Sequence, residues 1–481
     1  MAAPDAILHI TAAEGGGTDR YIRDLAATAQ GRHWIWHASA GLDVIEDVAA
    51  RRFFTPRDDE ALARWMRGSG VGIIHLHGVT PDCTARLGQA QRTRRLPYMV
   101  SLHDVSFIAP DAFATGGMPV ADPEWVASLH DFLRGAAAIV APSEFIRDLA
   151  VAHFGDVGIT TIAPGYRAPP AASPPEPPIF VEHPHARVVA VVGAVGPHKG
   201  SQLLPAIAVK LAELDAALVV IGYTDTQITR GWVVPGELYI HGPYEDEALG
   251  GWLAAYRVDC VLFPNRLPES FSYTLSEAWA AGLPVIVPDE GALGERVARH
   301  GGGWRLPPGF GAAEVAALFA RLWSPEGAAE WAQVKSAIAP ANDVRIPTLA
   351  AMARDFDLLY SRFALPPASA PASDTDAIVP LVAANLEGFA FRRELVNLAD
   401  ELGRAKDALA EAKPWVAKLE SDIAATRAWA QKLEHDVDVL NASVAELVDE
   451  KRRLIDIRDA FEVLPSLVRR ILLKWAFRAR R

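Results

Sequence analysis

Residues 187–200 have the sequence RVVAVVGAVGPHKG, a long apolar run that passes directly into a glycine-rich turn. A run of this length and β-branched content is typical of a buried parallel strand. Strands alternating with helical patterns predict a parallel α/β sheet in this half of the chain. Further runs of the same kind follow, each separated from the next by a helical pattern: AALVVIG (216–222), ELYIHG (237–242), VDCVLFP (258–264) and LPVIVPD (283–289).

The same alternation occurs upstream. AILHI (6–10) is followed by a glycine-rich turn and the helical stretch TDRYIRDLAATAQ (18–30). The strand-like runs GIIHLHG (72–78), YMVSLHD (98–104) and AAAIVAPSE (136–144) come next. Two βα-repeating halves in succession predict an α/β fold of two doubly wound, Rossmann-like domains with a cleft between them.

Two proline-rich stretches divide the chain, APPAASPPEPPIF (168–180) and ALPPASAPASDTD (364–376). Both are typical of extended, solvated connectors, because proline fixes φ and removes a backbone donor. The helix predicted before the second stretch could pack across either domain. We predict, in order, an N-terminal Rossmann-like domain, a linker, a C-terminal Rossmann-like domain, a crossover helix, a second linker, a coiled coil and a basic tail: residues 1–167, 168–185, 186–346, 347–363, 364–385, 386–455 and 456–481.

The sequence after residue 376 has a different character. Apolar or small residues recur in alternating steps of three and four from Leu395 to Leu447, which is the heptad pattern of a left-handed coiled coil. WVAKLESDIAATRA (415–428) is followed directly by the similar WAQKLEHDVDVLNA (429–442). This regularity favours a homo-oligomer over an amphipathic helix folded onto the α/β body. Pro414 is expected to break or kink the helix, or to start a new one.

The C-terminal tail is basic although the chain as a whole is acidic. Residues 465–481 carry six basic side chains and no acidic one, whereas the formal net charge of the protein is −12. An amphipathic cationic helix is typical of an anchor on an anionic membrane surface. The alternative is a basic helix that docks on the acidic body. The overall acidity argues against a nucleic-acid partner.

Other features favour a cytoplasmic protein that is peripheral to the inner membrane. The only cysteines, Cys83 and Cys260, cannot form a disulfide framework and have no metal-ligand spacing, which suits a reducing compartment. The N-terminal sequence lacks the charged start and apolar core of a signal peptide. No apolar run reaches the ~18 residues that a membrane-spanning helix needs.

Glycine-rich turns supply the first candidate binding residues. The turn around Gly16 and Gly17 lies between a strand and a helix, where backbone N–H groups and the helix dipole favour an anion, although such a turn is often only structural. In VVGAVGPHKG (191–200), Lys199 lies near the start of the next helix and would add a full positive charge for a diphosphate. A solvated lysine beside a turn is the alternative.

The stretch PESFSYTLSEAWAAGLPVIV (268–287) is the most informative. Glu269 precedes a predicted helix and Glu277 lies inside it. Between them, residues 270–274 form a helix start whose free N–H groups could hold phosphate. Carboxylates beside a phosphate site can accept hydrogen bonds from the hydroxyl groups of a sugar. Otherwise Glu269 would be a helix cap and Glu277 an exposed helix residue.

This E-x7-E element, followed by AWAAGLPV, resembles that of retaining GT-B glycosyltransferases of the family-4 type (glycosyl transferases group 1), and the resemblance covers roughly residues 6–363. The segments GGGTDRYIRDLA, SLHD, GPHKG and SFSYTLSEAWAAGLPV resemble a subgroup that acts in O-antigen and rhamnan-type polysaccharide biosynthesis. The resemblance implies a nucleotide-sugar held by the second domain and a glycan acceptor held by the first.

The resemblance also implies roles for individual residues. Lys199 would bind the diphosphate, and Glu277 would hydrogen-bond the nucleotide ribose. The catalytic pair would be Glu269 and His103, both in contact with the donor sugar. The remaining donor-binding groups would be backbone groups of Gly16, Gly17, Phe271, Ser272 and Tyr273.

Besides lacking the subgroup's cysteine after the His-Asp pair, where it has SFIAP (106–110) instead, the chain departs from the family pattern at two points. Many relatives have an arginine where this chain has Ala194, so diphosphate charge would rest on Lys199 with help from His198 or Arg266. The usual Gly-Phe-Gly after the first glutamate is replaced by Ser-Phe-Ser (270–272). Both changes bear on donor identity and activity.

The predicted function is the retaining transfer of a sugar from a nucleotide-sugar donor to a growing cell-surface polysaccharide or lipid-linked glycan at the cytoplasmic membrane face. We expect neither a metal nor another cofactor, since no Asp-x-Asp ends a predicted strand and Asp58-Asp59-Glu60 opens a helical pattern. One alternative is a catalytically degenerate GT-B coiled-coil scaffold for polysaccharide assembly enzymes. A sugar-nucleotide epimerase is a second alternative.

Overall fold

The computed structural model describes residues 5–13, 15–38, 44–56, 58–110, 118–167, 185–338, 345–366, 378–380, 383–463 and 465–479. Met1–Val382 forms one compact unit and Ala383–Arg481 a second. The predicted linkers lie largely outside the described residues, at 168–184 and 367–377.

The strands belong to two sheets, one in each lobe of the first unit. They are β1 (Ala6–Thr11), β2 (Arg32–His37), β3 (Val44–Asp47), β4 (Arg52–Pro56), β5 (Val71–His77), β6 (Tyr98–Ser101), β7 (Ala138–Ala141), β8 (Ile159–Thr161), β9 (Arg187–Val195), β10 (Ala216–Thr224), β11 (Gly231–Val234), β12 (Leu238–Ile240), β13 (Cys260–Leu262), β14 (Val285–Pro288), β15 (Gly303–Leu306) and β16 (Ile378–Pro380).

Helices cover the faces of the two sheets and make up most of the second unit. They are α1 (Gly16–Thr28), α2 (Asp59–Gly68), α3 (Pro81–Thr93), α4 (Pro123–Arg134), α5 (Glu144–Phe154), α6 (Leu204–Ala212), α7 (Leu249–Ala255), α8 (Tyr273–Ala280), α9 (Gly291–His300), α10 (Ala312–Leu322), α11 (Ala328–Ser336), α12 (Leu349–Phe363), α13 (Ala383–Val463) and α14 (Ser466–Ala479).

The first lobe has the strand order β16-β4-β3-β2-β1-β5-β6-β7-β8. The strands from β2 through β8 in this order are parallel, as the sequence predicted, but β3, β4 and β16 form an antiparallel edge. Strand β16 lies within the predicted linker 364–385, whose bounds stay a prediction. There the backbone pairs with β4, Val379 opposite Thr55.

The second lobe has the order β11-β12-β10-β9-β13-β14-β15, parallel except for β11. Strand β9 covers the stretch that the sequence predicted, 187–195. Its side chains pack into an apolar core on each face of the sheet. Because the strands are parallel, the turns that follow β9 and β13 lie at the same edge of the sheet.

Helix α12 packs on the first lobe, which answers the question that the sequence left open. Phe356 and Tyr360 are fully buried against Ile7 and Tyr21. The two lobes also meet through Glu295 of α9, whose carboxylate accepts a hydrogen bond of 2.8 Å from the backbone N–H of Phe145. That N–H lies at the start of α5, where helical N–H groups lack partners within the helix.

The second unit consists of α13 and α14. Helix α13 has 81 residues and continues through Pro414, so the expected break or new helix start is wrong. Proline removes only one hydrogen-bond donor, and the neighbouring turns retain theirs. Several apolar side chains of the heptad positions are exposed, among them Leu433, Val437 and Leu440. In the part of the chain that the structure describes, no helix has both the length and the apolarity needed to cross a bilayer.

Candidate active site

A cavity of about 380 Å³ lies at the carboxyl edges of the two sheets. Both lobes contribute to its wall, which makes it the cleft that the two βα-repeating halves predicted. Residues that follow the carboxyl ends of five strands line it: Gly17 after β1, His103 after β6, Pro142 after β7, Lys199 after β9 and Glu269 after β13.

Two helices direct their amino ends towards this cavity. Gly17 lies in the first turn of α1, and Tyr273 is the first residue of α8. They meet across the cleft, since a Cβ atom on Gly17 would lie 3.6 Å from Cδ2 of Tyr273. The unpaired N–H groups and the dipoles of both helices therefore favour an anion here.

Lys199 is held at the cavity by a tight turn. The next residue, Gly200, has φ +78°, and a Cβ atom there would lie 2.1 Å from the carbonyl oxygen of Pro264. Only glycine permits this approach, which brings the turn after β9 against the end of β13. The Nζ atom of Lys199 is 3.5 Å from Oε1 of Glu269. The lysine therefore adds a full positive charge to the anion-binding side of the cavity.

Glu269 is fixed by its neighbours on the second lobe. Its Oε1 accepts a 2.9 Å hydrogen bond from Nδ2 of the buried Asn265. Its carbonyl oxygen accepts another of 2.9 Å from the N–H of Ala292. Gly291, with φ +63°, permits this contact, since a Cβ atom there would lie 2.8 Å from Cβ of Pro268. The carboxylate is thus positioned at the wall, beside the lysine.

The turn that begins α8 is strained and is supported from behind. Ser272 has φ +73°, and its hydroxyl caps the helix by accepting from the N–H of Leu275. Arg296 donates to the carbonyl oxygens of Phe271 (3.2 Å) and Ser272 (3.0 Å), and its guanidinium lies 4.2 Å from the centre of the Phe271 ring. Burial lowers the pKa of Arg296 to about 9. This arginine fixes the backbone of the proposed phosphate cradle.

His103 contributes from the first lobe. Its Nε2 lies 3.0 Å from Nδ1 of His77, and its carbonyl oxygen accepts a hydrogen bond from the hydroxyl of Ser270. The edge of the Tyr21 ring packs against it, with ring centres 4.7 Å apart. Burial lowers the pKa of His103 to about 4, so its imidazole is neutral at pH 7. A neutral imidazole beside Glu269 can exchange hydrogen bonds with hydroxyl groups of a ligand.

In this structure the carboxylate of Glu277 forms an ion pair with Arg20 instead of lining the cavity. Its Oε1 is 2.7 Å from Nη1 of Arg20, a residue of α1 in the first lobe. The same guanidinium lies over the Tyr273 ring, 4.7 Å from its centre. Glu277 is inside α8, as predicted, but its side chain is not part of the cavity wall. Its contact with a ribose stays a prediction, and that contact requires the ion pair with Arg20 to open or to share the carboxylate.

The structure thus brings most of the predicted residues together. Of the two side chains suggested to assist Lys199, His198 lines the cavity, whereas Arg266 packs over the Phe310 ring instead. Gly16 and Glu277 are not among the residues that line the cavity. The residues of the predicted set that line the cavity are Gly17, His103, Lys199, Glu269, Phe271, Ser272 and Tyr273.

Sequence reasoning missed the supporting residues Arg20, Asn265 and Arg296, for which no motif gave a signal. It also missed a histidine cluster whose signal was visible, namely His75 and His77 at alternate positions of an apolar strand. Among the described residues, His9, His75 and His77 could hold a metal ion, since one nitrogen of each lies within 4.8 Å of the others.

Two protein families match the chain in succession. Residues 10–165 match the Glycosyl transferase 4-like domain, and residues 186–324 match Glycosyl transferases group 1. Together the matches cover more than half of the chain and correspond to the two lobes. Among curated proteins, no match to the chain is found.

Solved structures resemble the two lobes. Sucrose-phosphate synthase from Thermosynechococcus elongatus is 18% identical with a TM-score of 0.55, over 74% of this chain and 98% of that chain. HepE of Anabaena, in complex with UDP and glucose, is 16% identical with a TM-score of 0.54, over 74% and 99%. The catalytic domain of starch synthase IV from Arabidopsis thaliana, bound to ADP and acarbose, is 12% identical with a TM-score of 0.51, over 75% and 99%.

Proposed function

The chain belongs to the GT-B glycosyltransferases that join a Glycosyl transferase 4-like domain to a group 1 domain, and on this premise we propose its reaction and its substrates. The protein transfers a sugar, as a hexosyltransferase, from a nucleotide-sugar donor with retention of the anomeric configuration. The acceptor is a growing cell-surface polysaccharide of the O-antigen type or a lipid-linked glycan. Transfer takes place at the cytoplasmic face of the inner membrane.

The observation that carries this proposal is the convergence on one cavity of Lys199, Glu269, His103 and the amino ends of α1 and α8. A nucleotide-sugar needs positive charge at its diphosphate and hydrogen-bonding groups at its sugar. The cavity offers the first through the lysine and the two helix ends, and the second through the carboxylate and the imidazole. The solved complexes of HepE with UDP and UDP-glucose support a nucleotide-sugar donor.

The proposed mechanism stabilises the departing diphosphate and the oxocarbenium-like sugar in the transition state. Lys199 and the free N–H groups of the two helix ends carry the charge that develops on the diphosphate, so no resident metal is required. Glu269 and His103 orient the sugar through its hydroxyls. Closure of the two lobes excludes water and suppresses hydrolysis of the donor.

In this proposal the second unit mediates self-association of the enzyme and binds it to the membrane surface. The exposed apolar seam of α13, with Leu433, Leu440 and Leu447, suits a second copy of the same helix in a coiled coil. The basic sequence of α14 suits anionic headgroups at a membrane surface. A catalytically degenerate scaffold is the competing proposal, and it differs in requiring no donor binding at all.

The proposal is tested by thermal-shift measurements on the full-length protein with UDP-, GDP- and dTDP-sugars. We expect one nucleotide class to raise the melting temperature of the wild type. Lys199→Ala should abolish the shift, whereas the matched control Lys210→Ala should retain it, because Lys210 is an exposed residue of α6 paired with Glu213. No shift with any donor would favour the scaffold, and an equal shift in both variants would contradict the assignment of Lys199.

A further inference from the structure

Helices α1 and α8 lie against each other, starting from their amino ends at the cavity. Gly17 of α1 faces Tyr273 of α8, since a Cβ atom on Gly17 would lie 3.6 Å from Cδ2 of that ring. One turn further along α1, Arg20 contacts both Tyr273 and Glu277. Residues three or four apart share a face of a helix. Gly17 with Arg20, and Tyr273 with Glu277, therefore form two facing surfaces.

The guanidinium of Arg20 is held between groups from both lobes. Its Nη1 is 2.7 Å from Oε1 of Glu277. Its Cζ lies 4.7 Å from the centre of the Tyr273 ring and 5.2 Å from that of the Tyr166 ring. Tyr166 lies near the crossing between the lobes, where its backbone N–H donates to the carbonyl oxygen of Pro347 (2.8 Å). Arg20 thus links α1, α8 and this crossing.

A second carboxylate lies close to the same guanidinium. Nε of Arg20 is 3.8 Å from Oδ2 of Asp24, four residues further along α1. The side chain of Asp24 is 30% exposed, whereas that of Glu277 is 9% exposed. The ion pair with Glu277 is therefore the shorter and the more buried of the two, and Asp24 offers the arginine an alternative partner within the first lobe.

The position of Glu277 suits the sugar that is joined directly to a nucleotide's diphosphate. A diphosphate at the amino end of α8 would lie at Tyr273, and Glu277 follows one turn later, about 6 Å along the helix axis. The ribose of a ribonucleotide carries two neighbouring hydroxyl groups that can donate hydrogen bonds. An ionised carboxylate only accepts, so it can bind two hydroxyls or a guanidinium. Ribose and Arg20 would compete for one acceptor.

We infer that Arg20 is a positioning residue that exchanges Glu277 for Asp24 when the ribose hydroxyls of the donor bind to Glu277. The competing ligand is the nucleotide of the donor, so this inference rests on the proposed function. In the free protein the guanidinium neutralises the buried carboxylate and joins the two lobes. With the donor bound, the ribose hydroxyls hydrogen-bond to Glu277, and Asp24 keeps the guanidinium paired.

This exchange predicts opposite effects for the two partners. Separating a buried ion pair is costly, because each charge loses its compensation. The ribose must displace the guanidinium before it gains the carboxylate, and attraction to Asp24 lowers the cost of that displacement. Removing the guanidinium should therefore strengthen the binding of the ribose hydroxyls, whereas removing the charge of Asp24 should weaken it.

A purely structural role for Arg20 predicts a different pattern. If the guanidinium only joined the lobes, its loss would loosen the cavity for every ligand, with or without ribose hydroxyls. Another contact between the lobes provides the matched control: the carboxylate of Glu295 accepts a hydrogen bond of 2.8 Å from the backbone N–H of Phe145. Glu295→Gln weakens this contact and leaves both partners of Arg20 in place.

The test compares the binding of UDP and of 2′,3′-dideoxy-UDP to the full-length protein by isothermal titration calorimetry. The two compounds differ only in the ribose hydroxyls, so the ratio of the dideoxy-UDP dissociation constant to that of UDP reports the hydroxyl contacts. Arg20→Met keeps an unbranched side chain between the tyrosine rings and should raise this ratio about tenfold. Asp24→Asn should lower it about threefold, and Glu295→Gln should leave it within about twofold of the wild-type value.

Opposite shifts in Arg20→Met and Asp24→Asn would support the exchange. A lower ratio in Arg20→Met would mean that the guanidinium itself binds the donor, and a ratio that rises equally in Glu295→Gln would mean that the lobes are merely looser; either result would overturn the inference. Asp24→Asn retains Arg20, so it decides the question if Arg20→Met does not fold. Binding of neither compound to any of the proteins would contradict the proposed donor together with the exchange. Binding of both compounds with the same ratio in every protein would overturn the exchange alone.

Discussion

At the scale of single residues, Ser272 connects backbone strain with the candidate phosphate site. Its φ of +73° lies in a region that costs a residue with a side chain about 1–2 kcal/mol and that glycine adopts freely. The family pattern that the sequence resembles has glycine at this position. The serine offsets part of the cost, because its hydroxyl caps α8.

Substitutions at Ser272 should therefore rank in a defined order. Ser272→Gly removes the strain and loses only a few tenths of a kcal/mol of capping, whereas Ser272→Ala keeps the strain and loses about 1 kcal/mol. We expect the glycine variant to be more stable than the alanine variant by about 2–3 kcal/mol in urea unfolding, with donor binding preserved. Equal stabilities for the two variants would contradict the strain argument.

Sequence alone predicted the residues that line the cavity better than the residues that support them. Lys199 and Glu269 belong to motifs, and their side chains meet at 3.5 Å. Arg296 supports the same site from 24 residues beyond Ser272, and its role depends on a tertiary fold that positions α9 behind the turn. Arg20 comes from the other lobe, so its pairing with Glu277 depends on how the lobes close.

At the scale of elements, the long apolar strands were predictable and the short edge strands were not. β9 is a nearly continuous apolar run, and β5 is apolar apart from His75 and His77, because parallel strands are buried on both faces. β3 and β4 have only four and five residues, and β16 has three. Such segments owe their strand conformation to the pairing partners that the fold supplies rather than to their own sequence.

The histidine-rich face of the first sheet makes the protein sensitive to acid. Burial lowers the folded-state pKa of both His33 and His103 to about 4, whereas an unfolded histidine has its ordinary value near 6.5. Between these two values the unfolded state binds more protons, so stability decreases as pH falls. Above pH ~6.5 the contribution is fully present. Each of the two histidines should cost on the order of 3 kcal/mol at pH 4.

The measurement is the free energy of urea unfolding between pH 7.5 and 4.5. We expect a plateau above pH ~6.5 and a decrease below it. His33→Gln should reduce the slope of this decrease by up to one proton, which is about 1.4 kcal/mol per pH unit. The control His130→Gln changes a partly exposed side chain of α4 and should leave the slope unchanged. A stability that does not change with pH across this range would be inconsistent with neutral buried histidines.

At the scale of the whole molecule, the seam of α13 should determine the oligomeric state. Leu433, Leu440 and Leu447 are 47–64% exposed in the single chain. Replacing all three leucines with lysine should reduce the mass measured by light scattering to that of one chain. Association would bury the lysine charges without partners in the core of the coiled coil, which is costly. The control is lysine at Val439 and Val448, which are similarly exposed but off the seam. Dissociation of both variants, or of neither, would rule out the coiled coil.

The basic tail should determine membrane association. Deleting residues 457–481 should abolish cosedimentation with vesicles that contain anionic lipid, because the deletion removes the cationic helix α14. Transfer to a water-soluble acceptor should be retained. Neutral vesicles serve as the control and should bind the wild type weakly. Undiminished binding by the truncated protein would mean that another surface contacts the membrane.

The central claim is that one cavity between the two lobes binds a nucleotide-sugar. The most direct test is a crystal structure of the full-length protein with UDP or with the nucleotide that gives the thermal shift. We predict the diphosphate at the amino ends of α1 and α8, within hydrogen-bonding distance of Lys199, and the ribose at Glu277 with Arg20 displaced or sharing the carboxylate. A nucleotide bound anywhere else, or a diphosphate that does not contact Lys199, would contradict the account.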